Sequence, residues 1–382
     1  MKSLCKLIQE KSPTSEKIKQ NILTLNSNEL SFLHYYALYC ISNNVGRVEP
    51  AKLLLQHLYN IYLKPFKGTV TLTFGDVAES HVGMQKIGKM AEHGFGLPDL
   101  EKAKKWFQSR GCETLLVKLN DFLPDSVDNK EEQTQLKKAK KDPDFQAYIF
   151  VARNGLKHLI DDKNGTDLLT EMLFFEWDTK VYNLKKKTVQ NKNARYNLNF
   201  DDSHQVSDFK IGNGTTIAWT EVPILNELRG RIRNAFGKSA EGLKCEGNLY
   251  TDITTRNGIG RHGDSERRKV IGVRLGNRMN MHWNWFYNNR PRGYNVSIFL
   301  NPGDVYCMSE KAVGTDWLAA PKKKYTLRHC AGAKKYTTET STIKIVNQRV
   351  WDVDNNVTVG DIMFKQKKGK LNPTPTWVNS YN

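Results

Sequence analysis

The six cysteines of this 382-residue chain, Cys5, Cys40, Cys112, Cys245, Cys307 and Cys330, show no pairing pattern and form no C-x-x-C. That absence speaks against a zinc ribbon and against a disulfide-stapled secreted fold, and favours a reducing intracellular setting, cytoplasmic or nuclear. No apolar run approaches the roughly eighteen residues that span a bilayer, so no membrane partner is expected. The N-terminus, MKSLCKLIQEKSPTSEK, lacks the apolar stretch and small-residue cleavage site of a secretory signal. A glycine-rich phosphate loop is missing too: GFGLPDL does not keep the G-x-G-x-x-G spacing, which argues against a nucleotide site in the first half.

Acidic residues are in short supply. The chain has 58 Lys and Arg against 40 Asp and Glu, a net charge of +18. Phosphates gain from such a surface while releasing condensed counterions, so a polyanion, DNA or RNA, is the expected partner. The competing explanations are a lysine-rich surface that keeps the protein soluble, or a genome rich in Lys and Asn codons. Hydrophobic residues at 39% and charged residues at 26% are ordinary for a globular protein, and the length predicts two domains.

Along the chain, LSFLHYYALYC and AKLLLQHLYNIYLKPF carry apolar residues at helical spacing, and Pro65 ends the second. TVTLTF over 69–74 reads as a strand, Pro98 opens a helix stopped by Gly111, and ETLLVKL follows as a strand. Residues 126–144 are polar and lysine-rich, a linker or an exposed helix. From Ala194 onward the pattern changes to short runs separated by Gly, Asn, Asp and Pro: TTIAWT, VIGVRLG, HWNWFY, VSIFL, DVYCM and STIKIV. Many short strands with turn signals predict a β-sandwich or jelly roll, interrupted by one helix from Pro223 to Gly237.

His262-Gly263-Asp264 is the sharpest chemical feature. Non-haem Fe(II) oxygenases use two histidines and a carboxylate on one side of the ion, and leave the other positions open. Residues two apart on a strand share a face, so H-x-D at a strand end sends both side chains the same way. Downstream, only His282 and His329 remain as a third ligand. His329 is the better candidate, since the chain has room to return across a jelly roll before it. On its own, H-x-D is common and usually marks a surface turn.

The surroundings are more specific. Asn248-Leu249-Tyr250-Thr251-Asp252 precedes Ile259-Gly260-Arg261-His262-Gly263-Asp264-Ser265-Glu266-Arg267, and GVRLG and Gly303-Asp304-Val305 follow. These segments resemble the AlkB family of Fe(II)- and 2-oxoglutarate-dependent dioxygenases, most closely its DNA-dealkylating branch. The block GDVYCMSEKAVGTDW through YTLRHCAGAKKY, with NARYNLNF and EGNLYTD, is similar to members encoded by large DNA viruses, which would place the protein in a host cell. The likeness reaches upstream to about Tyr148.

The resemblance implies an α+β protein in which a C-terminal double-stranded β-helix (jelly roll) with flanking helices follows a mixed α/β N-terminal region. The expected division is 1–147, a connecting region 148–190, the dioxygenase domain 191–350, and a basic extension 351–382. His262, Asp264 and His329 would hold Fe(II); Asn248 and Tyr250 would hydrogen-bond the cosubstrate 2-oxoglutarate; O2 would be consumed. The family's R-x-N-x-T-x-R strand, whose arginines grip the cosubstrate carboxylates, is absent. Lys344 and Arg349 stand in its general place, with Arg274 and Arg328 as competing cations.

The expected activity is hydroxylation of a C–H bond on a nucleic-acid base, by oxidative demethylation or base modification. Trp283 and Trp285 would offer flat surfaces to a flipped base, with core packing as the competing reading. Arg267, Arg268 and Lys269 would contact phosphates, unless they form a solvated charge run. The alternatives are a protein side-chain hydroxylase with the same iron chemistry and a non-catalytic nucleic-acid-binding jelly roll.

Overall fold

Why TVTLTFG should sit at the centre of a sheet follows from its composition. β1, Thr69–Gly75, alternates Val70, Leu72 and Phe74 with Thr69, Thr71 and Thr73, and every residue in it is buried. The computed structural model describes residues 15–44, 48–318, 323–337, 345–350 and 362–367. Its apolar β1 face packs against helices and its threonine face looks toward a second sheet.

The strands follow in chain order. β2 is Val77–Glu79, β3 Lys86–Gly88, β4 Thr114–Lys118, β5 Tyr148–Ala152, β6 Lys180–Asn183, β7 Thr188–Asn191, β8 Tyr196–Asp201 and β9 Thr216–Ala218. β10 is Lys244–Tyr250, β11 Gly258–His262, β12 Val270–Gly276, β13 Met279–Tyr287, β14 Arg290–Leu300 and β15 Val305–Met308. β16 is Tyr325–Gly332, β17 Ile345–Val350 and β18 Ile362–Lys367.

An eight-stranded sheet has the order β4-β5-β15-β12-β1-β10-β8-β9 and a six-stranded sheet the order β11-β16-β13-β14-β18-β17. Pairing is antiparallel except between β8 and β9. β2 and β3 form a separate hairpin, as do β6 and β7.

The division expected at residue 147 does not mark a break in the larger sheet. β1, which begins before it, pairs directly with β10 and β12, and β5, which begins beside it, pairs with β15 and carries β4 on its other edge. Nor is the basic extension wholly outside the sheets, because Ile362–Lys367 pairs with β14. The physical reason is the same in both cases: strand pairing is non-local, and a break in composition does not report it.

Alternation sorts the large sheet into two faces. Its outer face joins helices in one core: Val70, Leu72, Phe74, Phe150, Val273 and Val305 pack with Leu54, Leu100, Phe107, Leu228 and Phe236. The helix Pro223–Phe236 shows how that layer forms. Proline opens it, Gly237 at φ 74° ends it, and Ile224, Leu225, Leu228, Ile232, Ala235 and Phe236 make one buried stripe. Its first turn is capped from a distance: both Glu171 carboxylate oxygens accept, at 2.9 Å, the backbone N–H groups of Ile224 and Leu225.

The inner faces of the two sheets make the second core, with Leu115, Val117, Ile149, Val151, Trp283, Trp285, Val296 and Leu327 among its members. The segment read as a linker or exposed helix forms the helix Lys130–Lys141, whose Glu132 is buried against the small sheet. Among the described residues no helix is long and apolar enough to cross a membrane.

Candidate metal centre

Two neighbouring strands of the small sheet bring the centre together. β11 and β16 pair antiparallel with His262 directly opposite His329. Directly paired residues point to the same side, so the two imidazoles lie together, with ring centroids 4.4 Å apart. The chain then leaves β11 through Gly263, where an added Cβ would come within 2.1 Å of the Gly314 carbonyl oxygen. Only glycine allows that approach, and it returns Asp264, whose N–H donates to the Val313 carbonyl at 3.1 Å.

Asp264 Oδ1 sits 3.3 Å from His262 Nε2 and 3.5 Å from His329 Nε2. Two donors about 2.1 Å from one ion and at right angles to each other are about 3 Å apart, so these separations match a shared ion. One ligand atom from each residue lies within 4.8 Å of the others. His262 Nδ1 lies 2.7 Å from the Gly260 carbonyl oxygen, a contact made by a protonated Nδ1, which leaves the Nε2 lone pair directed at the cluster. The donor set therefore fits a divalent transition metal bound on one side.

The electrostatics agree. Burial alone would raise the Asp264 carboxyl, but the His329 and His262 rings and the Arg267 guanidinium hold it well below the usual carboxylate range. Burial and the neighbouring His262 push His329 down, toward the neutral ligand form.

The cluster opens into a cavity of about 680 Å³ between the sheets. Thr71, Thr73, Asn248, Tyr250, Arg274 and Tyr306 line it from the large sheet; Met279, Met281, His262, His329 and Ala331 line it from the small one. The β2–β3 hairpin contributes Glu79, His81, Val82, Met84 and Lys86 at the mouth, with Trp317 and Leu318 beside them. Burial, with the Arg195 guanidinium opposing it, raises the Tyr250 phenol, and burial raises Tyr306, so both are neutral donors there. Asn248 accepts from Arg195 Nε at 2.5 Å and from Asn197 Nδ2 at 2.7 Å, and donates to Glu246 at 3.2 Å.

Several expected site residues lie elsewhere. Trp283 and Trp285 are 0% and 1% exposed in the inter-sheet core, and the Trp285 indole donates to the Leu119 carbonyl at 2.8 Å. Core packing, not base stacking, is their role, because the strand face that carries them is covered by the other sheet. Arg267 is buried rather than presented to phosphates. It pairs with Glu246 at 2.7 Å and Glu266 at 2.9 Å and lies 3.7 Å from Asp264. Arg268 pairs with Glu310 at 2.8 Å, and the Lys269 ammonium donates to the Ser239 carbonyl at 2.9 Å. The backbone N–H groups of both donate to Asp76. Of the three cations next to the motif, Arg267 became an internal brace, while Arg268 and Lys269, both half-buried, each found an acid or a carbonyl from a distant segment.

Lys344 lies outside the described residues, as does the side chain of Arg349. The strand that carries Arg349, β17, is the edge of the small sheet opposite β11. Arg328 stacks at 4.3 Å over Phe286 and 5.0 Å over Trp317, and donates to Asn289. His282, the rival third ligand, alternates with Met281 and Trp283 and so faces away from the cavity. Arg195, Glu246, Tyr306 and the hairpin at the mouth escaped the sequence reading. Glu246 alone left a signal, two residues before Asn248 on the same strand face.

These features describe an α+β protein with a half-buried cluster of two histidines and one carboxylate at the end of an inter-sheet cavity. The chain is 40% identical over 272 residues to uncharacterized protein R156 of Acanthamoeba polyphaga mimivirus, covering 71% of this chain and 98% of that one. It belongs to the family of that mimivirus protein. No family model and no solved structure matches the chain.

Proposed function

We propose that this chain is a Fe(II)- and 2-oxoglutarate-dependent dioxygenase that hydroxylates a C–H bond, with a nucleic-acid base as the substrate. The observation that carries the reading is the convergence on one cavity of His262 and His329, from opposed positions of paired strands, and Asp264, just past the end of one of them. Strand order supports it. An eight-stranded jelly roll numbered I to VIII stacks a sheet I-VIII-III-VI on a sheet II-VII-IV-V. β11-β16-β13-β14 follows II-VII-IV-V, and β10, β12 and β15 take the places of I, III and VI.

His262, Asp264 and His329 would hold the iron, whose contribution is to couple O2 to substrate oxidation: 2-oxoglutarate, O2 and a C–H bond give succinate, CO2 and a C–OH. The chain's own residues do the rest. Gly260 fixes the His262 tautomer, Arg267 steadies Asp264 from behind, and Tyr250 and Tyr306 present neutral phenols to the cosubstrate. The hairpin and Trp317 screen the cavity from water. Hydroxylation of an N-methyl group would release formaldehyde and restore the base. The net charge of +18, with Lys86, Arg195 and Arg261 along the cavity, supports a polyanionic substrate.

The test is succinate release by the iron-loaded protein from methylated DNA and RNA oligonucleotides and from a peptide library. Turnover with oligonucleotides alone, accompanied by formaldehyde, is the expected result. Turnover with peptides alone would make the protein a side-chain hydroxylase. Binding of oligonucleotides without any turnover would leave a non-catalytic binding protein.

A further inference from the structure

Among the described residues, Arg274 is a buried cation without an ion-pair partner. It lies on β12, is 1% exposed, and lines the cavity that holds the histidine–carboxylate cluster. Its Nη1 donates to Thr71 Oγ1 at 2.5 Å, its Nε has no partner, and among the described residues no carboxylate stands within ion-pair distance. The other cations around the cavity are differently placed. Arg267 faces three acids, Lys86 lies 3.8 Å from Glu79, Arg195 is half-buried against Asn248, and Arg261 Nη2 donates to the Thr337 carbonyl at 3.5 Å. A guanidinium taken out of water without a counter-charge is strongly unfavourable, and a cavity wall is where a ligand can supply the missing charge.

Topology explains why the cation sits on this strand. The place between β10 and β12, which the last strand of a jelly roll would fill, is taken by β1 from the N-terminal part of the chain. β1 shows the cavity two threonines, Thr71 and Thr73, and no cation. Thr71 stands opposite Arg274 in the register, so the charge moves one strand over and the threonine hydroxyl orients it.

We propose that Arg274, positioned by Thr71, binds the distal carboxylate of a small 2-oxo-dicarboxylate whose other end reaches the metal cluster, with β1 replacing a C-terminal strand in the wall of the site. This rests on the proposed function. A guanidinium can grip a carboxylate through two parallel hydrogen bonds, and the free Nε is one of the donors such a grip uses.

The experiment is anaerobic calorimetric titration of the full chain loaded with Mn(II), comparing 2-oxoglutarate with pyruvate, which keeps the keto-acid end and lacks the distal carboxylate. The wild type is expected to bind 2-oxoglutarate about 100-fold more tightly, as loss of a buried charged pair implies. R274M should bring 2-oxoglutarate down to the affinity of pyruvate, leaving pyruvate and Mn(II) affinity unchanged, and R274K should fall between. T71V, which keeps the cation, should lose part of the preference and covers the case in which R274M fails to fold. Retention of the full preference by R274M, or its absence from the wild type, would overturn the assignment while leaving the metal reading intact. A wild type that binds neither Mn(II) nor 2-oxoglutarate sinks the proposed function and this inference together.

Discussion

The space between the two sheets has two ends, and the same strands build both. β13 and β16 present Met279, Met281, His329 and Ala331 to the cavity at one end; at the other they present Trp283, Trp285, Tyr325 and Leu327 to a packed core. What separates the ends is what closes them. The helix Lys130–Lys141 and Leu119 plug the packed end: Glu132 accepts from the Tyr325 hydroxyl at 2.9 Å and pairs with Arg292. Over the other end lies the short β2–β3 hairpin, with Trp317 and Leu318 beside it, and its polar groups remain directed at the open space. Strand composition alone does not make a site; the neighbour that caps the strands decides whether their inner face becomes core or cavity.

The largest way to break this contrast is Asp264→Ala. Removing the carboxylate should abolish succinate formation and lower Mn(II) affinity more than about 100-fold, a ligand mattering more than the outer-shell partners whose loss costs 10- to 100-fold. Unfolding in denaturant should change little, since Arg267 keeps Glu246 and Glu266. Trp285→Ala should do the reverse. It empties a large buried site and should cost about 3–5 kcal/mol in the same unfolding measurement. Mn(II) affinity in the variant that still folds should stay at the wild-type level. A loss of metal binding without a loss of stability would show that the two ends are not separate.

Arg267→Ala joins the two kinds of effect. It strands the buried Glu246 and should cost about 3 kcal/mol by denaturant titration. Asp264 also loses its rear support, so Mn(II) affinity should fall about tenfold. Oligonucleotide affinity should keep its salt dependence, because the guanidinium faces acids and not solvent; a shallower salt slope would return Arg267 to the phosphate-binding role.

The smallest effect is in pH. Burial holds His329 below the ordinary histidine value of about 6.5, so near neutrality it is already the neutral ligand. The His329 contribution to Mn(II) affinity should therefore be flat from pH 8 to about 6.5 and should weaken only below that, by about tenfold per pH unit once the ring must lose a proton. A decline above about pH 6.5 that is present in the wild type and absent from His329→Gln would show that His329 is not depressed.

Local pattern carried much of this protein. The strands, the Pro223–Phe236 helix and the H-x-D motif were legible because each rests on spacing within a few residues: the two-residue repeat of a strand, or proline before and glycine after a helical stripe. His329 was legible as a ligand candidate because few histidines follow Asp264. The identity of neighbours was not legible. TVTLTF reads as a strand, but only pairing shows that it lies between β10 and β12 and fills a wall of the cavity with threonine. HWNWF reads as aromatic surface until the opposing sheet covers it, and RRK reads as a phosphate-binding run until Glu246, Glu310 and Ser239 arrive from elsewhere in the chain. Spacing sets which way a side chain points. Burial, counter-charge and the strand next door are set by contacts far apart in sequence, and these decided which residues of this chain surround the histidine–carboxylate cluster.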